Sequence, residues 1–188
     1  MRRVLVGGLI GAVVMIAFVV VVDGLMGFKR GINMHQLTNM TDVYTFLSQH
    51  VTQPGRYVCN PVVGPDQPFP GHAPVFAVEY SGLGHADARQ EVIVGLVVLL
   101  LASFAGAWVL ANASSRVLAR YGSRFLFFAV VGVVLALVSI PGRFGVSAYS
   151  LGDAVALAAH DLVLWAVAGL AVAAVVKPAK EQAATTAS

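Results

Sequence analysis

The sequence predicts a mainly α integral membrane protein: four transmembrane helices with a small α+β extracytoplasmic insertion, a short helix plus a β-hairpin, between helices one and two. Three observations predict it. Of the 188 residues, 58% are hydrophobic and only 11% charged, and the mean hydropathy is +0.81, well outside the balance of soluble domains. The apolar residues gather into four runs near the roughly 20 residues that a helix needs to cross hydrocarbon. Basic residues then cluster at one set of run ends, as expected where positive charge stays on one side of a membrane.

Helix one is residues 4–22, VLVGGLIGAVVMIAFVVVV. Two arginines precede it as in a signal peptide, but the run exceeds an ordinary signal core and no small-x-small cleavage site follows, so residues 1–22 read as an uncleaved anchor. Residues 23–91 form the extracytoplasmic region. There TDVYTFLSQHV places Val43, Phe46, Leu47 and Val51 at helical spacing, with Thr41 as N-cap and Pro54-Gly55 as the stop. The apolar face of this short helix needs a partner, the hairpin or the membrane surface. GRYVCNP and HAPVFAVEY are β-branched and aromatic runs separated by the proline-rich VVGPDQPFPG, which predicts a two-stranded hairpin with a long loop. Two strands alone are marginal in water, so the hairpin is expected to pack on the helix.

Residues 92–176 hold a three-helix bundle, 92–111, 122–140 and 154–176. The middle run is short and is completed toward Tyr121, with Arg124 snorkelling at one end and Pro141-Gly142 stopping the helix at the other. The last segment, 177–188, is polar and rich in small residues, the composition of a disordered tail.

Charge placement sets the orientation. Arg2 and Arg3, then Arg116, Arg120 and Arg124, then Lys177 and Lys180 lie on one side if four helices alternate, so both termini are expected in the cytoplasm of a bacterial inner membrane and residues 23–91 outside it. A net charge of +3 is too small to suggest a nucleic-acid partner. The single cysteine, Cys59, excludes a disulfide framework within one chain. Small residues mark close helix packing: Gly7 and Gly11 on helix one, Ala102 and Gly106 on helix two, and Ala154, Ala158, Gly169 and Ala173 on helix four.

His160 and Asp161 form a polar pair inside the last apolar run, where ionisable groups are costly and tend to be paired or functional. Counting back from Lys177 puts them about one turn inside the outer boundary, so they are expected as a polar lip, with Arg143 as partner. The alternative is a ligand role. Ala156, His160 and Leu164, with Trp165 beside them, make an A-x-x-x-H-x-x-x-L pattern that resembles the histidine environment of bacterial antenna polypeptides, which implies a pigment contacted through His160. A haem contacted through the same histidine is a further possibility, without a second membrane histidine to complete the axial pair. A proton relay lacks other carboxylates or histidines in the remaining helices. The exterior His50, His72 and His85, with His35 and Cys59, have the donor types of a copper or zinc site but not its spacing, so no metal is assigned. No P-loop, G-x-S-x-G, H-E-x-x-H, C-x-x-C or C-x-x-C-H occurs, and no catalytic residue is assigned.

The layout of one anchor, a short helix, PGRYVCNP at a hairpin, and three close helices ending in HDLVLWAVAGLAVAAVVKP resembles a family of small bacterial four-helix membrane proteins of unknown function. Gly55, Tyr57 and Pro61, and Asp161, Trp165 and Gly169, carry the resemblance. It implies fold and location and brings no activity. The expected function is a non-catalytic accessory or scaffolding subunit of a larger respiratory or photosynthetic membrane complex, contacting lipid and other subunits and needing no cofactor. The alternatives are a redox, pigment or metal-binding membrane protein and a small oligomeric transporter or channel.

Overall fold

Apolar runs without interior charge favour helices, because a helix satisfies every backbone donor and acceptor within its own segment. The computed structural model describes residues 1–68, 70–145 and 148–178. Helix α1 is Arg2–Val19 and continues without a break into a wider π turn, Val20–Leu25. Two short helices follow, α2 (Phe28–Asn33) and α3 (Met40–His50), then strands β1 (Gly55–Cys59) and β2 (Phe76–Tyr80). A 3₁₀ turn at His85–Asp87 leads into α4 (Ala88–Ala111). The chain ends in α5 (Ser115–Ala119), α6 (Tyr121–Arg143) and α7 (Leu151–Val175). Among the described residues four helices, Arg2–Leu25, His85–Ala111, Tyr121–Arg143 and Leu151–Val175, are long and apolar enough to cross a membrane. The polar tail, expected to be disordered, lies almost wholly outside the described residues.

Helix ends depart from expectation in several places: α4 begins at Ala88 rather than at 92, α7 begins at Leu151 rather than at 154, and three further ends differ in kind. The first helix does not stop at the boundary between 22 and 23 but carries Asp23 within its π turn. Pro141 and Gly142 do not stop α6, which runs to Arg143: a proline in the last turn forfeits one hydrogen bond without breaking what precedes it. α3 starts at Met40 behind Asn39, with no side-chain cap, so Thr41 is not the N-cap; its carbonyl instead accepts from Thr45 Oγ1 at 2.8 Å.

α1 packs between α4 and α7, and α7 packs on α6, while α4 and α6 scarcely meet. Glycine permits the closest of these approaches. A Cβ on Gly7 would lie 2.7 Å from Val176 Cγ2, and one on Gly11 would lie 2.3 Å from Ser103 Oγ and 2.6 Å from Val172 Cγ2. Ser103, fully buried, donates to the carbonyl of Gly8 at 2.8 Å and so ties α4 to α1. On α7, Gly169 lies under Phe128 of α6, and Ala154, Ala158 and Ala173 are buried. Ala102 and Gly106 face an apolar groove between α4 and α6 that Phe128 and Trp165 line from the other side. The core is two clusters, one of Leu110, Leu118, Phe128, Val172 and Val176, the other of Met15, Leu164 and Ala168.

The end of the bundle that holds the chain's N-terminus is basic, and two of its arginines are structural. Arg124 does not snorkel. It is buried, donating from Nε to the Ala173 carbonyl at 2.8 Å and from Nη1 to the Leu118 carbonyl at 2.6 Å. Arg3 donates to the carbonyls of Lys177 at 2.8 Å and Ala111 at 3.3 Å. Both satisfy carbonyls at or just past helix C-termini, Arg3 at the negative ends of α4 and α7 and Arg124 at those of α5 and α7.

At the opposite end, the hairpin pairs antiparallel, Gly55 with Tyr80 and Cys59 with Phe76. Leu47 and Val51 of the α3 segment line a cleft with Val78 and Tyr80 rather than packing closely on the hairpin. Between α1 and α4 no described residue is buried.

Gly11→Ala is expected to destabilise the bundle by about 1–3 kcal/mol through overpacking. Gly95→Ala, in α4 with nothing within 4 Å of its added methyl, is expected to lose nothing. Unfolding midpoints in detergent micelles check both.

Candidate functional site

The site starts from one awkward residue. Asp23 follows nineteen residues of nearly unbroken apolar sequence, and a carboxylate there must find a partner or leave the apolar zone. Widening the last turn of α1 from α to π lets the helix continue while rotating its final residues, and this is where Asp23 sits. Gly27 then takes a left-handed conformation, φ 68°, which an L side chain adopts only with strain, and reverses the chain into α2. The reversal brings Phe28 and Lys29 back over the end of the bundle.

The partner is His160. Ser150 caps α7, accepting from the Asp153 backbone N–H at 3.1 Å and donating to the Asp153 carboxylate at 2.7 Å, and this fixes where the helix begins. His160 lies roughly 13 Å further along the axis at 1.5 Å per residue. Its side chain is 1% exposed, so it is a buried group and not a polar lip. Nε2 lies 3.0 Å from Asp23 Oδ1, and Nδ1 lies 3.4 Å from Asp161 Oδ1. Phe28 stacks on the imidazole with ring centroids 5.2 Å apart and planes 11° from parallel, and Phe18 tilts against it at 5.2 Å.

Each carboxylate is held by a cation on its far oxygen. Lys29 Nζ lies 3.0 Å from Asp23 Oδ2. Arg143 Nη2 donates to Asp161 Oδ2 at 2.7 Å, with Ser139 Oγ 3.4 Å from Nη1. The result is one row, Lys29, Asp23, His160, Asp161 and Arg143, contributed by α2, the π turn, α7 and α6. With a neutral imidazole its formal charges cancel. The Asp161 end is hydrogen-bonded, whereas the Asp23 end is at ion-pair distance without hydrogen-bond alignment, leaving both Asp23 oxygens and His160 Nε2 as buried atoms with no hydrogen bond.

This geometry bears on each expected site residue. Asp161 lies with Arg143. The pigment or haem role for His160 meets an imidazole with a carboxylate oxygen facing each nitrogen and an aromatic ring over one face. In the A-x-x-x-H-x-x-x-L pattern, Leu164 is buried in the core and Trp165 lies against Phe128, with ring centroids 6.0 Å apart. Cys59, His50, His72 and His85 are all exposed, and His50 Nδ1 faces the Phe46 carbonyl at 2.8 Å. Among the described residues no three His, Cys, Asp or Glu side chains gather into a metal site.

Sequence reasoning missed Asp23, Phe28 and Lys29. The statement that the other three helices offer no carboxylate is corrected by Asp23, which belongs to the first helix once its π turn is counted, and by Glu91, in the first turn of α4. The available signal was local: an aspartate closing an apolar run, followed by Gly27, Phe28 and Lys29. No protein-family model, curated protein or solved structure matches the chain.

Asp23→Ala is expected to destabilise the fold by about 3 kcal/mol, because it leaves a buried imidazole and an ammonium group without their shared partner. Glu79→Gln, which breaks the solvent-exposed pair with Arg56 at 3.6 Å, is expected to change stability by less than about 0.5 kcal/mol. Denaturant unfolding of the two variants in parallel measures the contrast.

Proposed function

We propose that this chain is a multi-pass protein of a bacterial cytoplasmic membrane and acts there as a non-catalytic accessory or scaffolding subunit of a larger membrane complex. Both termini lie in the cytoplasm in this reading, and residues 23–91 face outward. The distribution of Arg2, Arg3, Arg116, Arg120 and Arg124 at one end of the bundle supports the orientation.

One observation carries the functional part. The region between α1 and α4 folds into two short helices and a hairpin without burying a single described residue. Tyr44, Phe46, Val58, Phe76 and Leu83 are all more than half exposed there. A segment of this kind cannot offset its ordering entropy from its own contacts, so a partner surface supplies what the chain lacks. The ionisable row is consistent with this reading: a carboxylate oxygen already faces each nitrogen of the imidazole. The small-residue faces of the helices and the apolar groove between α4 and α6 give partner helices or lipid a place to lie.

Mild detergent extraction from native membranes, followed by sizing and mass spectrometry of co-migrating proteins, tests this reading. The expected result is migration with subunits much larger than this chain. A monodisperse, partner-free species that keeps its fold would contradict it.

A further inference from the structure

We propose that the His160 row is a proton-binding site, and that the bound proton latches the π turn of α1 and the α2 segment onto α7. Hydrogen-bond donors are too few for a neutral ring at this position. A neutral imidazole has one N–H and one lone pair, and an ionised carboxylate has only lone pairs. Both nitrogens of His160 face carboxylate oxygens, Asp23 Oδ1 at 3.0 Å and Asp161 Oδ1 at 3.4 Å. With a neutral ring, one of these contacts sets lone pair against lone pair at a side chain that is 1% exposed. One added proton makes the ring a cation between the two carboxylates, hydrogen-bonded to Asp161 and ion-paired with Asp23.

The surroundings place that proton on the ring. The charged groups facing it are Asp23 from the π turn, Lys29 from α2, Asp161 from α7 and Arg143 from α6. Lys29 and Arg143 lie on the outer oxygens of the two carboxylates, which leaves the inner oxygens to the imidazole. A route in exists on one side: Asp161 is 26% exposed at its side chain and touches Nδ1. The step is simple uptake. Hydronium reaching Asp161 gives its proton to the ring nitrogen that lacks one: an N–H bond forms, an O–H bond of the hydronium breaks, and water and an imidazolium are left.

Release is asymmetric. Asp161 is the next residue on the same helix and is hydrogen-bonded to Arg143 at 2.7 Å, so it stays beside the ring whatever the ring's charge. Asp23 is held only through unaligned contacts, and it sits where the helix has already left α geometry. Losing the ring's positive charge therefore weakens the Asp23 side, and with it the hold on the segment from the π turn to Asn33. Gly27, in a left-handed conformation with open space where a Cβ would stand, is the joint this proposal assigns to that movement. The inference is independent of the accessory-subunit reading and holds for the chain alone in a bilayer.

The test uses the full chain in lipid nanodiscs, titrated from mildly acidic to alkaline buffer. Nitrogen NMR of labelled histidines, assigned by the signal missing in His160→Gln, follows the ring. Backbone amide exchange across residues 20–33, corrected for the intrinsic effect of pH, follows the segment. The expected result is that His160 loses one ring proton as the pH rises, and that protection of residues 20–33 falls in step by about tenfold, the order of one lost contact between charged groups. In Asp23→Asn, whose amide can accept from or donate to the ring, protection is expected to stay constant across the same range. A ring that carries a single proton throughout, or titrates without changing exchange, overturns the proposal. So does an Asp23→Asn variant with the wild-type pH course. If that variant does not fold, the wild-type titration alone decides between these results.

Discussion

A carboxylate at the end of an apolar helix has to be paired before the helix can be packed, and the pairing of Asp23 with His160 is the constraint from which one end of this molecule follows. The π turn brings the carboxylate round. Gly27 turns the chain back so that Lys29 reaches the second oxygen and Phe28 covers the imidazole. Asp161 and Arg143 complete the row from α7 and α6. Three of the four long helices meet there through side chains that would each be costly alone in an apolar setting. Removing any one member leaves its neighbour uncompensated, so the row acts as a unit.

The other end of the bundle solves a different problem with the same chemistry. Helix termini expose carbonyls that have no partner in their own helix. Arg124 and Arg3 reach across to those of Ala173, Lys177 and Ala111. Positive charge at this end therefore has two roles: it fits the negative poles of α4 and α7, and in the orientation proposed above it lies on the cytoplasmic face. Between the ends, packing depends on absent side chains. Gly7, Gly11 and Gly169 bring backbones into contact, and Ser103 turns one of those contacts into an interhelical hydrogen bond.

Four long apolar helices and a two-stranded sheet were legible in the sequence because hydropathy and the alternation of β-branched residues depend on short windows. The small residues were legible as packing positions, though not which helix each would meet. What could not be read were features set by tertiary contact. A hydropathy scan ends a helix at its first charge, so it cut the first helix before Asp23 and hid the acid that His160 needs. Arg124 looked like a snorkelling residue because its partners are backbone carbonyls, which carry no signal in sequence. His160 was visible as an unusual residue, and its neighbour Asp161 with it. Its burial was not, because that depends on Phe18 and Phe28 arriving from elsewhere in the chain. The short helices α2 and α5 fall below the length at which periodicity can speak.

The account therefore rests on an energetic link between two residues 137 positions apart in the chain. A double-mutant cycle measures that link directly: stability of the wild type, Asp23→Asn, His160→Gln and the double variant, each unfolded reversibly in the same detergent. The account predicts a coupling of about 1–3 kcal/mol, the range for residues in one buried ionic network. A coupling indistinguishable from zero would mean that Asp23 and His160 do not hold the two helices together, and would contradict it.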